Sequence, residues 1–240
     1  GDSALICDVL EHVQPEPVLY PAHLKGVARV FAQWADSTLF GAAMAYNLQP
    51  RGAAALFANL PEGMAQAFSE DRREMSAGMP RLRPPEATAA YRSYLRRIAH
   101  MAEEHDFLFG AEPCLADFAA YHPLWFTRTC VPVMADIFAA TPAVLEWMDR
   151  IAALGLQRME KFSAEDAITV AARAEPLPLG DEVFQDEHGI ALGSSVQIAA
   201  DSFGTEPTQG ELLAATRTRY TLRRQAPRAG TDHVHFPRIG

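Results

Sequence analysis

No apolar stretch in this 240-residue chain is long enough to cross a membrane. His, Arg, Asp or Pro interrupts each one well short of the roughly 18 residues a spanning helix needs. Lysine is nearly absent: only Lys25 and Lys161 occur, so 19 of the 21 basic residues are Arg. Those 21 are outnumbered by 30 acidic residues, for a formal charge of −9, which excludes non-specific attraction to nucleic acid or an acidic membrane surface. Cysteine is scarce too. Cys7, Cys114 and Cys130 are an odd number without a CxxC spacing, which excludes a disulfide-stapled scaffold. All three lie in apolar, helix-like stretches and read as reduced core thiols of a cytoplasmic protein. A signal-peptide pattern is missing, and the chain begins Gly1-Asp2-Ser3 rather than with Met. What remains is globular composition, 49% apolar and 21% charged, which rules out a disordered or collagen-like chain.

The pattern changes near Glu175. Before it, apolar residues recur with a period of 3.6. Leu24, Val27, Ala28, Phe31, Trp34, Ala35, Leu39 and Ala42 make one stripe of a long amphipathic helix over 23–47. Further helices are predicted over 61–76, 86–105, 113–128 with a kink at Pro123, 133–140 and 142–155. Ser163-Ala-Glu-Asp166 reads as a cap for a last helix ending near Ala174. After Pro176-Leu-Pro178 the period becomes two. Val196 to Ala200, residues 212–223, and Val234 with Phe236 alternate as strands between glycine-marked turns. The predicted class is α+β, a helical bundle followed by a small antiparallel β domain.

Two segments carry candidate chemistry. Asp2-Ser3 precedes the apolar helical run Ala4 to Leu10. Ser or Asp at a helix start faces free backbone N–H groups and the positive end of the dipole, a seat for a carboxylate. Plain capping explains the same residues. In Gly110-Ala-Glu-Pro-Cys-Leu-Ala-Asp117, Cys114 stands at the cap and Asp117 three residues on. There the carboxylate can accept the cap residue's own N–H and pin the helix start, a folding device rather than a catalyst. His233 and His235 share a strand face, but a metal site needs a third ligand and Asp232 alternates to the other face, so no metal is predicted. His122 falls on a stripe with Leu115, Phe118 and Ala119 and reads as a core histidine. Arg217, Arg219 and Arg223 form a basic stripe for which pairing with neighbouring carboxylates is the expectation.

Taken together, Asp2-Ser3 before its apolar helix and Gly110-x-x-Pro113-Cys114-x-Ala116-Asp117 about a hundred residues later resemble the glutathione S-transferase family. The resemblance covers residues 1 to about 174. It implies that residues 1–14 are the terminal helix of a thioredoxin-like domain that is otherwise missing from the chain. It further implies that 15–174 are the family's all-α C-terminal domain. Residues 175–240 would be a β domain with no recognised motif. Cys114 departs from the family's Ser or Thr, and a thiol is a poorer cap acceptor. The function implied is glutathione binding and transfer of its thiol to a small apolar electrophile. Glutathione is then the co-substrate and the chain a homodimer, without metal, nucleic acid or membrane. In the family the residues matching Asp2 and Ser3 hold the γ-glutamyl group. The thiol-activating residue is expected upstream of Gly1. Phe31, Trp34, Tyr121 and Trp125 are candidates for the helical wall of an electrophile pocket between the two domains, or equally for core positions. The alternative is a non-catalytic binding or assembly module on the same scaffold.

Overall fold

The computed structural model describes residues 3–61, 63–76, 82–156, 158–180, 183–185, 187–201 and 204–238. The chain divides into two compact units. One comprises Leu10–Glu74 and Met79–Gln157, the other Gly1–Val9, Met75–Gly78 and Arg158–Gly240. Helix α1 (Ser3–Val13) crosses the division and has no buried residue.

The helical unit is built on one long element. Helix α2 (Lys25–Trp34) runs through a π-helical turn, Ala35–Leu39, into α3 (Phe40–Asn47). Ala28, Ala32, Ala35, Leu39, Ala42 and Ala43 are buried along it, and these mostly small side chains let neighbouring helices approach closely. Val27, expected on this stripe, is instead 52% exposed, because the buried face runs through Ala28 and Ala32. Two short helices follow, α4 (Pro50–Phe57) and α5 (Met64–Met75). Then α6 (Pro84–Glu104) packs against α3, with Tyr91, Leu95 and Ile98 buried. Helix α7 (Leu115–Trp125) packs against α2. Pro123 is buried inside α7, and the helix widens just after it into a π-helical turn, Phe126–Cys130. Proline brings no N–H to the ladder, so the change of pitch sits where a regular bond is lost. A 3₁₀ stretch, Pro132–Ala140, and α8 (Pro142–Ala153) complete the core with Phe138, Val144, Trp147 and Met148. Among the described residues no helix is long and apolar enough to span a membrane.

The second unit holds α9 (Ala164–Arg173) and a four-stranded antiparallel sheet in the order β1-β2-β3-β4. The strands are β1 (Ser195–Ile198), β2 (Thr208–Ala215), β3 (Arg219–Ala226) and β4 (Gly230–Pro237). Ser163 caps α9: its hydroxyl accepts the backbone N–H of Asp166 at 3.0 Å. The alternating run 212–223 is not one strand but the end of β2, a turn and the start of β3. Thr216 makes the turn, its hydroxyl oxygen accepting the N–H groups of Thr218 and Arg219 at 3.3 and 3.2 Å. Of the predicted basic stripe, Arg223 pairs with Glu211; elsewhere in the unit Arg224 pairs with Asp232 and Arg228 with Glu165.

Candidate functional site

Ser3 is the first residue of α1 and is exposed. The opening turn of a helix leaves backbone N–H groups without intrahelical partners, and Ser3 adds a hydroxyl beside them. Asp2 lies outside the described residues.

The segment before α7 is organised by one carboxylate. Asp117 is fully buried. Its Oδ2 accepts the N–H of Cys114 at 3.0 Å, and its Oδ1 accepts the N–H of Leu108 at 2.8 Å and the indole N–H of Trp147 at 2.9 Å. Three donors from three segments therefore converge on one side chain, which is how a buried carboxylate is tolerated without a cation. Asp117 N in turn donates to the carbonyl of Cys114 at 3.0 Å, so the start of α7 is held through the backbone as well as the side chain. The Cys114 thiol is 1% exposed, and burial pushes its pKa up to about 11. A thiol so held is not a nucleophile at neutral pH. Cys7 and Cys130 are only half-buried, so of the three expected core thiols Cys114 alone is a true core residue.

The four aromatic candidates separate. Phe31 and Trp34 stand together, ring centroids 5.1 Å apart, in a chain of rings that continues to Phe109 at 5.4 Å and to Tyr94 at 5.3 Å. All are half-buried against the core. Tyr121 turns inward and meets Trp147 edge-on at 6.3 Å. Trp125 is 37% exposed on α7. His122, expected in the core, is exposed and stacks on Phe40 at 5.9 Å, because the buried face of α7 runs through Ala116, Ala120 and Leu124.

A buried polar cluster escaped the sequence reading. The Thr127 hydroxyl donates to the carbonyl of Pro123 at 3.2 Å and accepts from Asn47 Nδ2 at 2.8 Å. With that hydrogen committed, the Tyr91 hydroxyl at 2.9 Å must be the donor to Thr127, and burial raises the Tyr91 pKa. The cluster ties α3 and α6 to the wide turn after Pro123. Among the described residues no three His, Cys, Asp or Glu side chains gather as metal ligands. Two open cavities, of about 370 and 310 Å³, lie beside Glu103, His105 and Arg150 and beside Gln185, Arg217 and Thr218, away from the candidate aromatics.

Residues 85–150 match the family model described as "Glutathione S-transferase, C-terminal domain". The chain is 33% identical to a GST-like protein of known structure from Pseudomonas syringae, with a TM-score of 0.78 over 100% of this chain and 76% of that one. A glutathione S-transferase from Rhodospirillum rubrum F11 is 19% identical over 68% of this chain and 66% of its own, with a TM-score of 0.40. No curated protein matches significantly. The match to the Pseudomonas protein takes in the sheet as well as the helices, and it gives no support to the expectation that a thioredoxin-like domain is largely missing.

Proposed function

The chain belongs to the glutathione S-transferase family, and from that premise we propose that it binds glutathione and transfers its thiol to a small apolar electrophile. The observation that carries this reading is the 33% identity to a GST-like protein over the whole of the chain. The position of Ser3 supports it. Its hydroxyl, at the positive end of the α1 dipole, suits the γ-glutamyl carboxylate, and the ammonium group would fall to Asp2. In the reaction, the glutathione sulfur gives up its proton and attacks the electrophilic carbon. A C–S bond forms, and the displaced group leaves with its electron pair.

The working form in this reading is a cytoplasmic homodimer. Val27 and Val30 on α2, with Phe118 and Trp125 on α7, are exposed apolar side chains on helices that pack side by side, and they suit burial against a second copy. Turnover of glutathione with an activated aryl halide tests the catalytic reading. Conjugate formation that scales with protein and falls for Ser3→Ala supports it. Tight glutathione binding without any conjugate would instead favour the binding module.

A further inference from the structure

We draw no further inference here: the strongest candidate, the exposed apolar stripe of Ile6, Val9, Leu10 and Val13 along helix α1, carries nothing because nothing among the described residues shows what covers it.

Discussion

The indole N–H of Trp147 on α8 donates to Oδ1 of Asp117 in the first turn of α7 across 2.9 Å, inside the helical core. The same carboxylate holds Leu108 and Cys114, so α7, α8 and the loop before α7 meet at one residue. Asp117→Ala would strand three buried N–H groups and should destabilise the helical unit by at least about 3 kcal/mol. Trp147→Phe keeps most of the ring but loses one donor, and should cost about 2 kcal/mol. Urea unfolding followed by intrinsic fluorescence measures Asp117→Ala directly, since Trp34, Trp125 and Trp147 all lie in the helical unit. Circular dichroism serves for the Trp147 variant.

Thiol chemistry should separate the three cysteines. Cys114 is buried with its pKa pushed up to about 11, whereas Cys7 and Cys130 are half-buried. A disulfide reagent at pH 8 should label Cys7 and Cys130 in the native protein and reach Cys114 only in denaturant. Peptide mass mapping reads the result, and fast native labelling of Cys114 would mean that the start of α7 opens readily.

Two helical glycines should respond oppositely to alanine. A Cβ on Gly52 in α4 would lie 2.0 Å from the carbonyl oxygen of Asn47 and 3.0 Å from Cγ of Met134. Gly52→Ala should therefore cost about 3 kcal/mol, since backbone must shift. At Gly41 in α3 a Cβ meets nothing within 4 Å, and Gly41→Ala should stabilise by about 0.5–1 kcal/mol through helix propensity alone. Thermal unfolding of both variants checks the contrast.

Charge placed on the exposed apolar faces of α2 and α7 should break the proposed homodimer. Val30 is 70% exposed, so Val30→Glu disturbs no core packing. Light scattering should report a dimer for the wild type and a monomer for Val30→Glu, with the variant's circular dichroism unchanged. A dimer that survives both Val30→Glu and Trp125→Glu would remove these helices from the interface.

Much of this architecture is legible in the sequence because periodicity and capping are local. The repeat in 86–105 marks α6, Pro142 and Gly155 bracket α8, and Ser163 announces α9. Helix α4 is not legible, since Pro50-Arg-Gly-Ala-Ala-Ala lacks an apolar and polar contrast. Nor is the turn at Thr216, because alternation continues through it and only the hydroxyl's bonds to Thr218 and Arg219 reveal the reversal. The Asn47, Tyr91 and Thr127 cluster joins residues 36 and 80 positions apart, a separation no periodic pattern encodes. Asp117 was readable as a cap for α7, but its bond to Trp147 was not.

Glutathione binding is the centre of the account, and isothermal calorimetry on the full chain tests it most directly. The account predicts saturable binding at millimolar glutathione or below, with Ser3→Ala weakening it by roughly tenfold as one charge-assisted hydrogen bond is lost. No measurable binding at millimolar glutathione would contradict it.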